Sequence, residues 1–289
     1  MYRMSQRLLI ILFLIINISF AYAVERVISL SQAPDGTPLI NPHSVIFEKN
    51  KFYVADSGNG RLISYDLKGN PLIALNPEEK LKRPIDLTFR KKDELWVIDK
   101  ELGGLYKVDF SKKEIKEYIL EYESIRLRPE IFQIYEDKMY ILDRETGAIA
   151  VVSFEEDNLR VEKILKPEDE DFKGFVDFKI NKQGLWGLSR LNKKVYHLKP
   201  DGEWETYSLK GKVILPKSLE VKDNHLFILD RYLAKVIIFR LPTLTKIEEF
   251  GEKGWTVGKF YRPIRIRNLY LNYIGIVDEG NGRVEIFQY

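Results

Sequence analysis

The feature of this sequence that most constrains its fold is a unit of 40 to 50 residues that occurs six times. Each copy contains a short apolar segment that ends in a polar marker residue, and successive markers lie 41 to 48 residues apart. The markers are Asp56, Asp99, Asp143, Ser189, Asp230 and Asp278. Fourteen or fifteen residues before five of the markers stands a proline: Pro42, Pro84, Pro129, Pro216 and Pro263. A period of this length is typical of stacked repeats.

Within each copy, short β-forming segments separated by polar turns predict four strands. The second copy, for example, predicts strands at Ile85–Phe89, Leu95–Ile98, Leu105–Phe110 and Ile115–Leu120. The second strand of a copy is apolar at consecutive positions, as in Leu226–Leu229, which indicates that both of its faces are buried. Six four-stranded antiparallel sheets at this period predict an all-β, six-bladed β-propeller.

The two ends of the repeat predict how the ring closes. The last copy has strand patterns at Ile264–Arg267, Ile274–Val277 and Val284–Phe287, and it lacks a fourth strand. An unassigned strand pattern, Arg26–Leu30, precedes the first copy. We predict that this N-terminal strand fills the outer position of the sixth blade, because closure leaves no free sheet edge inside the array.

Residues 1–23 resemble a secretory signal peptide. Arg3 and Arg7 precede the apolar run Leu8–Ile16, and Ala21-Tyr22-Ala23 provides a small-residue cleavage site. The prediction is therefore a signal peptide followed by a single propeller domain over residues 24–289, exported to the periplasm or the medium. The alternative is that the segment is retained as a membrane anchor. The chain has no cysteine, which excludes disulfides, thiolate metal ligands and a lipoprotein.

The charge balance argues against two classes of partner. The net charge is +3 over the whole sequence, and it falls to +1 without Arg3 and Arg7, the charges that precede Val24. A nearly neutral chain has no global attraction for nucleic acid or for a membrane surface. We therefore expect neither nucleic-acid binding nor membrane insertion after signal cleavage.

The sequence resembles the NHL-repeat family of six-bladed propellers, and the likeness is clearest at its two ends. Val54–Tyr65 and Val277–Phe287 share the pattern of a strand ending in Asp, an Asn-Gly turn and a strand opening with Arg. Before the second of these, Gly258 to Pro263 is similar to the family's Gly-rich connector and Phe-x-x-Pro. The resemblance implies an interaction platform, and related six-bladed folds include metal-dependent lactonases and lyases.

The marker aspartates are interpreted as structural residues. An Asp at a strand end can accept hydrogen bonds from backbone N–H groups in the next turn, and a basic residue five positions later can pair with it. We predict the ion pairs Asp56–Arg61, Asp230–Lys235 and Asp278–Arg283.

A second set of residues is predicted to line one mouth of the central channel. In the fourth copy Gly174-Phe175 takes the place of the proline. Two positions after each proline, or after Phe175, stand Ser44, Asp86, Ile131, Asp177, Ser218 and Arg265. In the functional interpretation, Ser44, Asp86, Asp177, Ser218 and Arg265 bind a small molecule or a divalent cation. In the alternative, Arg265 neutralises the carboxylates and the set is a hydrated lining, which we favour because an Arg beside two carboxylates makes a poor cation cage.

A third set is predicted to form a basic arc on the same face. The residues that follow the markers are Ser57, Lys100, Arg144, Arg190, Arg231 and Glu279. Lys100, Arg144, Arg190 and Arg231 thus place cations on four successive blades, where they could bind carboxylate or phosphate groups. The alternative is local pairing with Glu101 and Glu145.

Catalytic motifs are absent from the sequence. The three histidines, His43, His197 and His225, fall on separate repeats, and we predict no catalytic residue, no bound metal and no cofactor. The sequence thus predicts an exported, monomeric, non-catalytic binding or scaffold module for a protein, peptide or glycan. The alternative is a metal-dependent, lactonase-like hydrolase or a lyase, with a divalent cation held at the channel mouth.

Overall fold

The computed structural model describes residues 24–76, 79–91, 94–109, 114–156 and 158–289. These residues form six four-stranded antiparallel sheets and one two-stranded hairpin. The predicted signal peptide, residues 1–23, lies outside the described residues. Within the described part of the chain, no helix is long and apolar enough to cross a membrane.

Each four-stranded sheet is one blade, and the chain begins with a strand that belongs to the last of them, β1 (Glu25–Leu30). Blade 1 contains, from the centre outward, β2 (Pro42–Glu48), β3 (Lys51–Asp56), β4 (Arg61–Tyr65) and β5 (Pro71–Leu75). Blade 2 contains β6 (Pro84–Lys91), β7 (Glu94–Asp99), β8 (Gly104–Asp109) and β9 (Glu114–Tyr118). A hairpin of β10 (Glu121–Tyr122) and β11 (Ile125–Arg126) follows.

The remaining blades repeat this order. Blade 3 contains β12 (Pro129–Tyr135), β13 (Lys138–Asp143), β14 (Ile149–Phe154) and β15 (Leu159–Leu165). Blade 4 contains β16 (Asp177–Asn181), β17 (Gly184–Ser189), β18 (Lys194–Leu198) and β19 (Trp204–Ser208). Blade 5 contains β20 (Pro216–Lys222), β21 (His225–Asp230), β22 (Lys235–Arg240) and β23 (Thr245–Phe250). Blade 6 contains β24 (Arg265–Tyr270), β25 (Tyr273–Asp278), β26 (Arg283–Gln288) and β1.

The innermost strands β2, β6, β12, β16, β20 and β24 contact one another in sequence, and contacts between β24 and β2 close the ring. The predicted six-bladed propeller is confirmed. The predicted closure is confirmed as well, since β1 pairs antiparallel with β26 from Glu25 opposite Gln288 to Leu30 opposite Val284. Leu30 is fully buried against the apolar residues of blades 6 and 1.

The hydrophobic core is divided among the interfaces between blades. Each of the six interfaces contains its own cluster of buried apolar side chains. Trp96, Trp186 and Phe227, which occupy the same position on the second strands of blades 2, 4 and 5, are all buried in these clusters. Burial of apolar area on both faces of each sheet is thus the main stabilising term of the ring.

In blades 2, 3 and 5 the marker aspartates accept the predicted hydrogen bonds from N–H groups of the following turn. All five marker aspartates also attach their blades to the connectors that enter them, which the sequence did not predict. Their carboxylates accept hydrogen bonds of 2.6 to 2.9 Å from backbone N–H groups just before the repeat's proline. The donors are Ile40, Lys82, Arg83, Arg128, Ile214, Leu215 and Tyr261. In blade 4, Ser189 takes the place of Asp, and its hydroxyl has no hydrogen-bond partner among the described residues.

Two of the three predicted ion pairs form. Arg61 Nε lies 2.8 Å from Asp56, and Arg283 Nε lies 3.4 Å from Asp278. The predicted pair between Asp230 and Lys235 is wrong, because the Lys235 ammonium instead lies 2.6 Å from Glu249 on the neighbouring strand. Asp230 already accepts four backbone N–H groups, whereas Glu249 is partly exposed, so that the ion pair forms without being fully desolvated.

Candidate functional site

The predicted channel-mouth residues lie together at one end of the innermost strands, and all five are buried. Arg265 Nη1 lies 2.7 Å from Asp86 Oδ1, and the Ser44 hydroxyl donates to the same oxygen at 2.6 Å. Asp86 Oδ2 accepts from the Phe132 N–H at 3.1 Å. This cluster, Ser44–Asp86–Arg265, therefore joins blades 6, 1 and 2 and reaches the backbone of blade 3.

A second cluster surrounds Asp177. Its carboxylate accepts from the Ser218 hydroxyl and, at 3.1 Å, from the Leu219 N–H, while Arg267 Nη1 lies 3.3 Å away. The carboxylates of Asp177, Asp86 and Glu220 outweigh burial and raise the pKa of Arg267. Sequence reasoning missed Arg267, although it lies two residues after Arg265 and so points to the same side of the strand.

A third ion pair lies further along the channel. Lys179 Nζ is 2.9 Å from Glu220 Oε1, and Glu220 Oε2 accepts from the Asn268 N–H at 2.9 Å. Three carboxylates and three cations thus neutralise one another along the inner strands. Beside this pair the channel holds a cavity of about 240 Å³, so the free space lies beyond the two clusters that fill the predicted mouth.

The mouth carboxylates do not present a set of ligands that fits a divalent cation. The oxygens of Asp86 and Asp177 are taken up by arginine, serine and backbone donors. In the described part of the chain, no group of three or more His, Cys, Asp or Glu side chains is arranged to hold a metal ion. This geometry favours the neutralised lining over the cation cage.

The basic arc lies on the face that contains this mouth, and three of its cations are paired. Lys100 lies 3.6 Å from Glu130, Arg144 lies 3.8 Å from Glu145, and Arg231 lies 2.8 Å from Glu279. Glu145 is a partner that the sequence predicted, whereas Glu101 is not the partner of Lys100. Arg190 forms no ion pair with any described residue.

Further charged groups reach this face from the position directly after the proline, which sequence reasoning did not consider. A β-bulge at the start of β2, β12 and β20 inserts His43, Glu130 and Lys217, and a bulge redirects a side chain in this way. Burial lowers the pKa of Lys217, and the charges of Arg265 and Arg190 lower it further.

His43 is the titratable group of this set that lies closest to a carboxylate of another blade. Its Nδ1 lies 3.1 Å from the Asn41 carbonyl oxygen, and its Nε2 lies 3.9 Å from Glu279 Oε1. Burial lowers the pKa of His43 to about 4. The imidazole is therefore neutral near pH 7, and donation from Nδ1 to Asn41 leaves the Nε2 lone pair able to accept a proton.

Comparison with known proteins places the chain in a structural class. No protein-family model matches the sequence, and a search of curated proteins found no relative. Among solved structures, virginiamycin B lyase from Staphylococcus aureus superposes with a TM-score of 0.67 at 13% identity, covering 92% of this chain and 99% of that chain. A protein of unknown function from Bacteroides thetaiotaomicron gives 0.62 at 12% identity, covering 92% and 75%.

A chain of a nidogen–laminin complex gives a TM-score of 0.58 at 13% identity, covering 74% of this chain and 81% of that chain. At such identities the likeness is one of fold. The chain is a six-bladed β-propeller, and its fold is similar to that of a lyase and to that of a chain from a nidogen–laminin complex.

Proposed function

We propose that this chain is an exported, NHL-type β-propeller that acts as a non-catalytic binding module, with its ligand bound on the face that contains the basic arc. The observation that carries the proposal is the uneven pairing of charge on this face. Lys100, Arg144 and Arg231 each have a glutamate partner. Arg190 has none among the described residues, and it lies close enough to Lys217 to lower the pKa of that ammonium.

An anionic group on a ligand would neutralise these two cations. Arg265 and Arg190 repel the Lys217 ammonium, whereas Glu130 and Asp177 attract it. Binding a carboxylate between Arg190 and Lys217 relieves this repulsion, and a guanidinium can hold a carboxylate through two parallel hydrogen bonds. We therefore assign to the face a protein, peptide or glycan ligand that carries a carboxylate or a similar anion.

Two further features support a binding role. The channel mouth is closed by buried ion pairs, which leaves the surrounding loops as the surface that a ligand can reach. One structure of the same fold comes from a nidogen–laminin complex, a complex of two proteins. The NHL-type proposal is supported by Asn281 and Arg283 of the motif, whose side chains donate hydrogen bonds to carbonyl oxygens of the Gly-rich connector.

The test is chemical cross-linking of the mature protein to an extracytoplasmic extract, followed by identification of the captured molecule and measurement of its affinity with purified components. The triple variant Arg144→Glu, Arg190→Glu and Arg231→Glu should weaken that affinity at least about ten-fold, since each reversed charge repels the anion. Reversal of Lys182, which lies in the turn at the opposite end of blade 4, is the matched control. Equal affinity of the triple variant and the control would refute the proposal.

Export has its own test. We propose cleavage after Ala23, which leaves Val24 at the start of the mature chain, and N-terminal sequencing of the protein from the periplasm or medium measures it. Recovery of the intact chain in the membrane fraction would instead identify residues 1–23 as a retained anchor.

The second candidate is a lyase or hydrolase at the same face, and the observation that favours it is the neutral imidazole of His43 beside Glu279. One structure of this fold is a virginiamycin B lyase in which replacement of a histidine by alanine gives a catalytically inactive protein. In this second candidate function, His43 accepts a proton from the substrate. Metal analysis of the purified protein would distinguish a metal-dependent enzyme from one that needs no metal. Unchanged turnover by His43→Gln on any substrate found would exclude His43 as the base.

A further inference from the structure

The exposed apolar side chains on the binding face are concentrated over blades 4 to 6. Tyr232 follows Arg231 in the loop between β21 and β22, and 61% of its surface is exposed. Trp255, in the connector between β23 and β24, is 72% exposed, and Val257 beside it is 59% exposed. The corresponding loops of blades 2 and 3 carry Glu101 and Glu145 instead. Ile40, Ile119 and Ile125 are also exposed, in the connectors that enter blades 1 and 3, but the exposed aromatic side chains Tyr232 and Trp255 lie over blades 5 and 6.

We define the aromatic patch as Leu215, Tyr232, Trp255, Val257 and Tyr261, which lie in the connectors that enter blades 5 and 6 and in the loop between β21 and β22. The Lys253 ammonium lies 5.9 Å from the centre of the Tyr232 ring, and the rings of Trp255 and Tyr261 lie 5.4 Å apart. The Arg231 N–H, next to Tyr232, donates to the Leu215 carbonyl at 3.0 Å. The patch thus draws on three separate segments of the chain.

The connector that carries Trp255 is held in place by the NHL-like motif of blade 6. Arg283 donates to the carbonyl oxygens of Thr256 and Lys259 at 2.7 Å and of Trp255 at 3.3 Å. Asn281 donates to the Gly254 carbonyl at 3.0 Å. A connector fixed by several donors of one guanidinium loses little conformational entropy on binding. An exposed tryptophan on such a rigid segment is the type of residue that dominates binding energy at protein interfaces.

The charges around the aromatic patch indicate the sign of its partner. The acidic groups beside it are already paired, Glu252 with Lys259 and Glu279 with Arg231, each at 2.8 Å. Lys253, Arg190 and Lys217 form no ion pair with any described residue. The charge that remains for a partner to neutralise is therefore positive.

We propose that the aromatic patch binds an acidic peptide segment of a partner protein, with an apolar side chain of that segment packed between Trp255 and Tyr232. This inference rests on the proposed binding function and names its ligand class. A peptide is favoured over a glycan because Leu215 and Val257 offer aliphatic surface, which suits apolar side chains, and offer no polar groups to sugar hydroxyls. The carboxylates of the segment pair with Lys253 and with the cations of blades 4 and 5.

The probe is a library of random 12-residue peptides displayed on phage and selected against the mature protein. We expect enrichment of peptides that combine Asp or Glu with an aromatic or large aliphatic residue. Trp255→Ala and Tyr232→Ala should each weaken the binding of an enriched peptide at least about ten-fold. Lys253→Glu should also weaken this binding, and its effect should be larger at low salt than at high salt. Leu271→Ala is the matched apolar control, because Leu271 is 77% exposed in a hairpin at the opposite end of blade 6.

Enrichment of basic or purely polar peptides would overturn the proposal, as would enrichment that is equal on the wild type and on the Trp255→Ala/Tyr232→Ala double variant. Binding of polygalacturonate oligomers that depends on Trp255, without acidic peptides being enriched, would identify a glycan platform and also overturn it. If the binding of enriched peptides is weakened by reversal of Arg190 and Arg231 but not by substitutions in the aromatic patch, the present inference fails and the proposed binding function stands. If neither group of substitutions weakens binding, the inference and the proposed function both fail.

Discussion

Replacement of Arg265 by methionine removes the cation from the buried Ser44–Asp86–Arg265 cluster and leaves the Asp86 carboxylate without its ion-pair partner, with Arg267 as a more distant positive charge. Asp86 is 2% exposed and Arg265 is 6% exposed, so water can replace little of the lost interaction. Removal of one partner from such a pair costs about 3–5 kcal/mol. For a domain of this size, that loss lowers Tm by about 6–20 °C.

The double variant Asp86→Asn/Arg265→Met sharpens this prediction. The amide introduced by Asp86→Asn would keep an oxygen that accepts from the Ser44 hydroxyl or the Phe132 N–H, and it carries no charge. The double variant should therefore be more stable than Arg265→Met alone, although it has one more substitution. Guanidinium unfolding followed by tryptophan fluorescence gives the four free energies of the cycle. Additivity of the two single substitutions within about 0.5 kcal/mol would refute the reasoning, because it would show that solvent already screens the pair.

Three other predictions concern closure, pH and the motif. Deletion of Val24–Ser31 should lower Tm sharply, since the loss of Leu30 alone removes a fully buried side chain that contributes about 2–5 kcal/mol; an unchanged thermal melt would show that blade 6 is stable with three strands. The pKa of His43 is lowered to about 4 by burial, so the unfolded chain binds a proton that the native state does not bind as pH falls from about 6.5 to about 4. As pH falls across this window, the free energy of unfolding of the wild type should decrease by on the order of 2 kcal/mol more than that of His43→Gln. An equal dependence of the two free energies on pH would contradict this prediction. Arg283→Met should accelerate hydrogen exchange of the amides in Gly254–Lys259 at least about ten-fold and leave blade 3 unchanged, whereas unaltered exchange would mean that the connector does not depend on Arg283.

The architecture could be predicted from the sequence because its signals repeat. A marker at the end of the second strand sets the register of all six blades, and a proline near the start of the first strand supports it in five of them. The copies that keep both signals fix the register of the copy that lacks the proline. The N-terminal strand β1 was predictable because the last copy lacked a strand. The hairpin β10–β11 was not, since Ile125 is 67% exposed and its neighbours form no apolar alternation.

The candidate site was only partly predictable, because its residues pair across blades. The sequence places Asp86 and Arg265 at equivalent positions, but it does not state which carboxylate each arginine contacts. Arg267 pairs with Asp177 at a depth one layer further along the channel. Lys235 pairs with Glu249 and not with Asp230, because the partly exposed Glu249 carboxylate forms an ion pair at a lower desolvation cost than the buried Asp230. The strand register does not encode this difference in exposure. The bulge that inserts His43 and Lys217 at the start of β2 and β20 is a local irregularity that the repeat period does not reveal.

Blade 6 is the part of the ring that is composed of residues from both ends of the domain, and this has a kinetic consequence. β1 is synthesised first but its partner β26 is synthesised last, so their pairing closes the longest loop in the molecule and has the largest entropic cost of closure. Blades 1 to 5 contain their own four strands and can form as the chain emerges. The nascent propeller must therefore keep Glu25–Leu30 unpaired until the remaining blades are complete. A factor that shielded this strand until β26 is available would favour closure of the ring.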